Sequence, residues 1–200
     1  VVIVGDLKQL PQITDQKIKS RIRTAAPGWE YDYFANSILS SLMAVYGGKL
    51  PAVTLREHYR CHPQIIEFCN QKYYDGALIA YTKSKSEDCP LILYKTVEGN
   101  HMRRVTSGAS KGVYNQREID VIVNEILKNS DLEGRYEDIG IVTPYRRQAD
   151  RVAGEVDPSI ESDTVHKYQG REKNTIIMST VLDSSRDGQR GIAFIDDPQI

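Results

Sequence analysis

The chain has 200 residues, of which 40% are hydrophobic, and a formal net charge of -1. This size and apolar fraction predict one large domain or parts of two, and the near-balanced charge excludes a global basic field, so any nucleic-acid site must be a local patch. No apolar run is long enough for a membrane span, no signal peptide is visible, and the three irregularly spaced cysteines favour a reducing, intracellular setting over a disulfide framework.

Four short, nearly continuous apolar runs predict parallel strands that are covered on both faces. They are residues 1–4, 91–94, 139–143 and 175–181. The chain opens directly on the first run and ends abruptly at Ile200, so we expect it to be a piece of a longer protein.

Helical patterns alternate with these runs. Pro63 suits the first turn of a helix that ends near residues 75–76. A second helix is predicted by apolar residues at helical spacing from Ile119 to Leu127, and Asn115 with Glu118 resembles a capping box at its start. The alternation of strands and helices predicts an α/β architecture.

Two polar stretches interrupt this pattern. Residues 82–90 are rich in turn formers, and we predict a boundary there between a domain at 1–80 and a domain at 81–200. Residues 96–113 contain three glycines and predict a long mobile loop.

The first polar turn, residues 5–11, directly follows the first predicted strand. Its polar groups should therefore lie at the carboxyl end of that strand, where open α/β sheets bind ligands. Asp6 is a candidate magnesium ligand, and Gln9 is a candidate for holding a water or a phosphate oxygen. The alternative interpretation is a tight polar turn closed by Pro11.

A second cluster places Arg56 and Arg60 just before the helix that starts at Pro63. Arginine suits bidentate contact with phosphate and stays charged when partly buried. The alternative is a surface ion pair with Glu57 or Glu67, which would contribute little to stability.

The third cluster, residues 163–172, surrounds Gly170 and runs straight into the last apolar run. So many hydrogen-bonding and charged side chains at the mouth of a strand predict a loop that contacts nucleotide or nucleic acid. An ordinary surface turn with solvated charges is the alternative.

Four segments occur in one particular order. They are GDLKQLP at residues 5–11, YRCHP at 59–63, TPYRRQ at 143–148 and TVHKYQGRE at 164–172. Together they resemble the signature of superfamily 1 helicases of the nonsense-mediated-decay and Okazaki-flap-processing branch. The resemblance implies a RecA-like P-loop NTPase fold, with a mainly parallel sheet flanked by helices, comprising the end of a first RecA-like domain and most of a second.

The resemblance also implies an ATP-dependent helicase or translocase that uses ATP and Mg²⁺ and moves along single-stranded DNA or RNA. Gln9 would sense the γ-phosphate, and Arg60 would act as an arginine finger in phosphoryl transfer. The implied nucleotide-binding residues are Gly5, Asp6, Gln9, Arg60, Gly170, Arg171 and Glu172. The implied nucleic-acid-binding residues are Thr143, Pro144, Tyr145, Gln148, Thr164, His166, Gln169 and Thr180.

The chain departs from the family pattern in three places. It has no Gly-x-x-x-x-Gly-Lys-Ser/Thr loop, and the family's Asp-Glu pair and closing arginine motif are expected before Val1 and after Ile200. We therefore expect the chain alone neither to hydrolyse ATP nor to unwind a duplex. A non-catalytic nucleic-acid- or protein-binding module on the same fold is the alternative, whereas a dinucleotide oxidoreductase lacks its Gly-x-Gly-x-x-Gly fingerprint.

Overall fold

The computed structural model describes residues 1–11, 14, 17–18, 27–85, 89–108 and 111–196. The chain forms two compact units, Val1–Tyr94 and Lys95–Ile200. The boundary predicted between residues 80 and 81 falls inside the first unit, and its assignment to helicase domains stays a prediction. None of the helices in the described ranges combines the length and apolar character that a membrane span requires.

The first unit contains short elements. In chain order they are a 3₁₀ turn at Trp29–Tyr31, helix α1 at Ile38–Tyr46, a 3₁₀ turn at Gly47–Lys49, strand β1 at Glu57–His58, helix α2 at Pro63–Tyr73 and strand β2 at Ile79–Ala80. Strands β1 and β2 pair in parallel.

Helix α2 confirms the helix predicted from Pro63, which occupies its first turn. The buried side chain of Asn70 joins this helix to the segment that follows it. Its Oδ1 accepts from Leu78 N at 2.8 Å, and its Nδ2 donates to Leu78 O at 3.2 Å. Because the amide satisfies both backbone groups of Leu78, the chain after α2 is held in place to pair as β2.

The second unit contains a hairpin and a parallel sheet with helices. Its elements are β3 at Met102–Val105, β4 at Gly112–Asn115, α3 at Gln116–Val121 with a π-helical turn at Ile122–Ile126, a 3₁₀ turn at Tyr136–Asp138, β5 at Ile139–Thr143, α4 at Arg146–Glu155, β6 at Glu161–Thr164, α5 at Val165–Tyr168, β7 at Thr175–Met178 and α6 at Arg186–Ile195. Strands β3 and β4 are antiparallel.

The parallel sheet has the strand order β6–β5–β7, and all five residues of the central strand β5 are buried. Ile119 and Ile122 of the α3 region and Val152 of α4 pack with Ile139 and Ile141 of β5 to form the main core. This arrangement confirms the α/β class, with helices flanking a parallel sheet. The carboxyl ends of the three strands meet at one edge of the sheet. Because β6 and β7 pair with opposite sides of β5, this edge includes the point where the strand order reverses.

Several predicted elements differ in the structure. The predictions of buried strands at residues 1–4 and 91–94 are wrong, because neither run pairs with a described strand, and Val4 and Leu93 are 86% and 91% exposed. The loop predicted at residues 96–113 contains β3 and the start of β4 instead. The last strand spans Thr175–Met178 and not the whole predicted run of residues 175–181, and the backbone at Val181 turns with a φ of 72°.

Candidate nucleic-acid interface

The carboxyl edge of the parallel sheet brings together three of the predicted contact residues. Thr143, the last residue of β5, pairs with Thr164, the last residue of β6. Ser179 extends β7 by donating its N–H to Val142 O at 2.9 Å, and the exposed Thr180 follows it. Hydroxyl groups at the ends of all three strands therefore line one edge.

Thr143 and Thr164 differ in how accessible they are at this edge. Thr143 is fully buried, and its Oγ1 accepts from Tyr145 N at 3.4 Å, so this hydroxyl shapes the turn after β5. Thr164 is half-buried, and its Oγ1 accepts from Arg146 Nη2 at 3.1 Å. The edge thus offers Thr164 and Thr180 to a ligand and keeps Thr143 inside.

Tyr145 follows the half-buried Pro144 at the end of β5 and packs against α6. Its ring stacks on Phe194 with centroids 5.2 Å apart, and its hydroxyl donates to Gly191 O at 3.5 Å. A Cβ at Gly191 would lie 2.5 Å from Leu182 Cδ2, so a larger residue there would have to displace the end of the Leu182 side chain. Burial raises the pKa of Tyr145, which therefore carries a neutral hydroxyl beside its partly accessible ring.

The loop after β6 holds the motif that surrounds Gly170. Tyr168 of α5 is buried over Gly140 of β5 and anchors the loop on the sheet. Gln169 and Gly170 beyond it are exposed, while His166 is half-buried. Gly170 has a φ of 80° and open space where a Cβ would stand, so its backbone can be approached closely.

A network of ion pairs ties this loop to β6. Asp163 binds Arg146 and lies 3.7 Å from Arg171, which is also 3.4 Å from Glu161. Lys173 lies 2.9 Å from Glu161, and this hydrogen bond lowers the pKa of the glutamate. Burial acts to raise the pKa of Asp163, but hydrogen bonds from a backbone N–H and Arg146 lower it overall. Arg171 is thus held beside two ionised carboxylates, and Glu172 is exposed next to it.

Gln148 is not part of the accessible edge, although the sequence assigned it to nucleic-acid contact. It is fully buried in the first turn of α4. Its Oε1 accepts from Asn115 N at 2.9 Å, and its Nε2 donates to Ser179 Oγ at 2.9 Å and to Asn115 O at 3.3 Å. Both ends of the amide are occupied by the protein, so this geometry gives Gln148 a structural role.

The first polar turn, residues 5–11, lies in the first unit and is held by hydrogen bonds to Asp6. Asp6 accepts from Lys8 N at 2.9 Å, from Gln9 Nε2 at 3.2 Å and from Tyr74 hydroxyl at 2.6 Å. Burial acts to raise the pKa of Asp6, yet these hydrogen bonds lower it overall, and burial together with Asp6 raises the pKa of Tyr74 to about 12. A Cβ at Gly5 would lie 3.1 Å from Leu39 Cδ2. Hydrogen bonds therefore hold this exposed turn around an ionised Asp6.

Arg60 lies at the corner between β1 and α2. His58 Nε2 accepts from Cys61 N at 2.9 Å, and Thr82 Oγ1 donates to Cys61 O at 2.7 Å, so the corner is braced on both sides of its backbone. Burial and the charge of Arg60 lower the pKa of His58. Arg60 itself is exposed. Across the described ranges, no three His, Cys, Asp or Glu side chains are grouped in a way that could hold a metal ion.

Comparison with known proteins gives a consistent set of relatives. Residues 34–200 match the model of the family described as "AAA domain". The chain is 26% identical to "Probable helicase senataxin" of Mus musculus, covering 96% of the chain and 8% of that protein. It is 27% identical to "ATP-dependent helicase upf1" of Schizosaccharomyces pombe (100% and 22%) and 29% identical to "Regulator of nonsense transcripts 1" of Dictyostelium discoideum (100% and 15%). The chain thus spans less than a quarter of each of these relatives.

Proposed function

Because the chain belongs to the AAA domain family, within the superfamily 1 helicases of the nonsense-mediated-decay type, we propose that it works within an ATP-dependent translocase on single-stranded DNA or RNA. The observation that carries the proposal is the carboxyl edge of the parallel sheet, which combines accessible hydroxyls with an aromatic ring. Relatives named as helicases over nearly the whole chain support it. An intracellular location, as expected for an ATP-driven enzyme with three free cysteines, is part of the proposal.

The proposed path of the single-stranded nucleic acid, which we call the strand track, runs along this edge. Thr164 and Thr180 offer hydroxyl groups to phosphates, Tyr145 offers a ring to a base, and His166 and Gln169 flank them on the loop. Phosphate contacts hold a strand without reading its sequence, and stacking accepts any base. The track therefore fits a motor that must grip every successive nucleotide.

The test is a double variant of the chain, Tyr145→Ala with Thr164→Ala. Single-strand affinity is measured by fluorescence anisotropy at several salt concentrations, so that cationic contacts are separated from stacking. We expect at least about a fivefold weaker affinity, because stacking on one aromatic side chain contributes about 1–3 kcal/mol.

The matched control for this test is Tyr94→Ala with Thr106→Ala. Both residues are exposed and neither follows a strand of the parallel sheet. The control variant should bind like the wild type. If the two double variants lose affinity equally, or neither loses any, the proposed track is rejected.

We propose nucleotide-contacting residues in each unit. In the second unit, the open backbone at Gly170 suits a phosphate or ribose, Arg171 supplies positive charge, and Glu172 would hold the nucleotide sugar. In the first unit, the ionised Asp6 and the amide of Gln9 form the turn that would face Mg²⁺ and the terminal phosphate. When bound, ATP would supply the free energy of phosphoanhydride hydrolysis.

Arg60 is proposed as the arginine finger, and full-length protein provides its test. Arg60→Ala should lower the nucleic-acid-stimulated ATPase rate by about 10³-fold or more, as arginine fingers do in related phosphoryl transfers. Arg135→Ala is the matched control and should keep the wild-type rate, because Arg135 is also exposed and lies in none of the four motif segments. Wild-type turnover in the Arg60 variant would exclude this role.

We propose that the 200-residue chain alone does not hydrolyse ATP, because it contains no Gly-x-x-x-x-Gly-Lys-Ser/Thr loop to hold the phosphates. Nucleic-acid-stimulated phosphate release by the purified chain would contradict this. The second candidate function is a non-catalytic binding module on the same fold. It predicts strand binding with no ATPase even in the full-length protein.

A further inference from the structure

The segment that follows β7 contains a strained turn. Val181 is fully buried and has a φ of 72°, a conformation that β-branched residues rarely adopt. Leu182 N donates to Thr180 O at 2.8 Å, which closes a three-residue γ-turn of the rare positive-φ form. Such a turn persists only where the surroundings hold it.

Glu118 is the residue that holds the turn. Its carboxylate accepts from Val181 N at 2.9 and 3.1 Å and from Ser179 hydroxyl at 2.6 Å. Asn115 Nδ2 donates to Val181 O at 3.1 Å and so fixes the other side of the same residue. The residues on both sides of Thr180 are therefore fixed by side chains that precede or begin α3.

The same cluster reaches the end of β5 through Gln148. The Gln148 amide bonds both to Ser179 and to the backbone of Asn115, and it lies three residues after Tyr145, the residue that precedes α4. One buried hydrogen-bonded cluster thus joins the residue before α3, the first turn of α4 and the turn after β7. Thr180 and Tyr145 stand at two of its margins.

The group that holds the turn is the carboxylate of Glu118, and packing alone does not require a charged group at this position. Glu118 is only partly accessible, and burial raises its pKa despite the hydrogen bonds that it accepts from Ser179 and Val181. Burying a carboxylate is unfavourable unless it is fully hydrogen-bonded, and an unstrained turn needs no such group. The capping role predicted for Asn115 and Glu118 explains the bonds between these two residues, from Glu118 N to Asn115 Oδ1 at 3.3 Å and from Asn115 Nδ2 to Glu118 Oε1 at 3.4 Å. It does not explain the bonds of either residue to the turn.

We infer that Glu118 is a positioning residue, which with Asn115 and Gln148 holds the strained turn and so presents Thr180 to the nucleic-acid backbone. Thr180 is the exposed residue between two fixed and buried neighbours, so its place relative to Tyr145 is set by this cluster. The inference rests on the proposed strand track. It adds that a buried carboxylate, which touches no ligand, sets the geometry of one contact.

The test is a double-mutant cycle between Glu118→Ala and Thr180→Val, read out as affinity for a fluorescein-labelled single-stranded oligothymidylate or oligouridylate. Thr180→Val should weaken binding about 2- to 10-fold in the wild type, the range for one hydrogen bond, and have no effect in the Glu118→Ala background. Glu118→Gln should restore much of the Thr180 effect, because its Oε1 can still accept from Val181 N. Independent, additive losses would overturn the inference.

Glu125→Ala is the matched control, since Glu125 is an exposed glutamate one to two turns further along the same helical segment. Thr180→Val should keep its full effect in that background. If wild-type protein binds neither oligonucleotide, the proposed function fails and the contact at Thr180 fails with it, whereas amide hydrogen exchange at Val181 decides separately whether Glu118 holds the turn. Glu118→Ala should accelerate exchange at Val181 at least about tenfold relative to Ile141, and unchanged protection would overturn it.

Discussion

At the scale of single residues, Gln148 shows how a polar side chain can stabilise the fold while being fully buried. It is fully buried, and each of its amide atoms has a partner. Gln148→Leu keeps a similar volume but leaves the N–H of Asn115 and the hydroxyl of Ser179 short of a partner. We expect it to lower the free energy of unfolding by about 2–4 kcal/mol, measured by urea denaturation followed by circular dichroism.

Gln189→Leu is the control for this prediction. Gln189 is exposed on α6 and makes a single side-chain hydrogen bond of 3.4 Å to Ser184 O. Its substitution should change stability by less than about 0.5 kcal/mol. Equal stability of the Gln148 and Gln189 variants would show that the buried amide is not structural.

The raised pKa of Glu118 predicts in which direction folding stability changes with pH. Burial raises its pKa above the ordinary value of 4.5, so the folded chain binds this proton more readily than the unfolded chain. The resulting contribution to stability is present below about pH 4.5 and is lost as pH rises through the folded pKa. The stability of wild type relative to Glu118→Gln should therefore fall between pH 4.5 and neutral pH.

Urea midpoints of both proteins across this pH range provide the measurement. Asp163 and Asp183 do not interfere, because their pKa values are lowered from 3.8 and their contributions are lost only at more acidic pH. A difference between wild type and variant that stays constant from pH 4.5 to neutrality would contradict the raised pKa.

At the scale of elements, the contact between β5 and α5 sets where the Gly170 loop begins. A Cβ at Gly140 would overlap the Tyr168 hydroxyl and lie 2.6 Å from its Cζ. Gly140→Ala must therefore displace the Tyr168 ring, and we expect it to destabilise the chain by about 1–3 kcal/mol. Adding Tyr168→Ala should remove most of the further loss caused by Gly140→Ala, which a double-mutant cycle of urea midpoints would measure.

Gly154→Ala is the matched glycine control. Gly154 lies in α4, and nothing approaches the position where its Cβ would stand. Alanine there should stabilise the chain slightly, by up to about 1 kcal/mol, because it favours the helix. If Gly140→Ala is equally harmless, the contact with Tyr168 does not constrain the loop.

The elements also show what periodicity can and cannot predict. The helix after Asn115 and the strand at Ile139–Thr143 were predicted because their apolar spacing reports burial directly. The runs at 1–4 and 91–94 carry the same signal, but a strand also needs a partner, and none of the described strands pairs with them. Strand β6, with the sequence ESDT, was missed because it is polar along its whole length.

The candidate site likewise has parts that the sequence predicts and parts that it does not. The family resemblance placed Thr143 and Thr164 on one nucleic-acid track, and in the structure they pair as the last residues of β5 and β6, although β6 itself was not predicted. The role of Gln148 could not be predicted, since its partner Ser179 lies 31 positions away. The hydrogen bonds of Glu118 to the turn after β7 depend on the same long-range folding. Local sequence carries no signal for such contacts.

At the scale of the whole molecule, burial is unevenly distributed. Every buried apolar side chain in the described ranges belongs to the second unit, from Met102 to Val181. In the first unit the described buried side chains are two asparagines, Asn36 and Asn70, while residues such as Phe68 and Tyr59 are more than 60% exposed. Hydrophobic burial is the main favourable term in folding, so the two units should differ in stability.

This difference predicts the outcome of limited proteolysis of the chain. Chymotrypsin cleaves after aromatic residues when a segment opens locally, and opening requires little free energy where few apolar contacts are lost. We expect rapid cleavage at Tyr59 and Phe68 and survival of a fragment that begins close to Lys95, identified by mass spectrometry.

Ile141→Ala, which creates a cavity in the fully buried β5, should destabilise that fragment by about 2–5 kcal/mol and make it as sensitive to chymotrypsin as the first unit. If the first unit instead resists cleavage as long as the second, burial does not set their relative stability, and polar contacts such as that of Asn70 with Leu78 must hold it together.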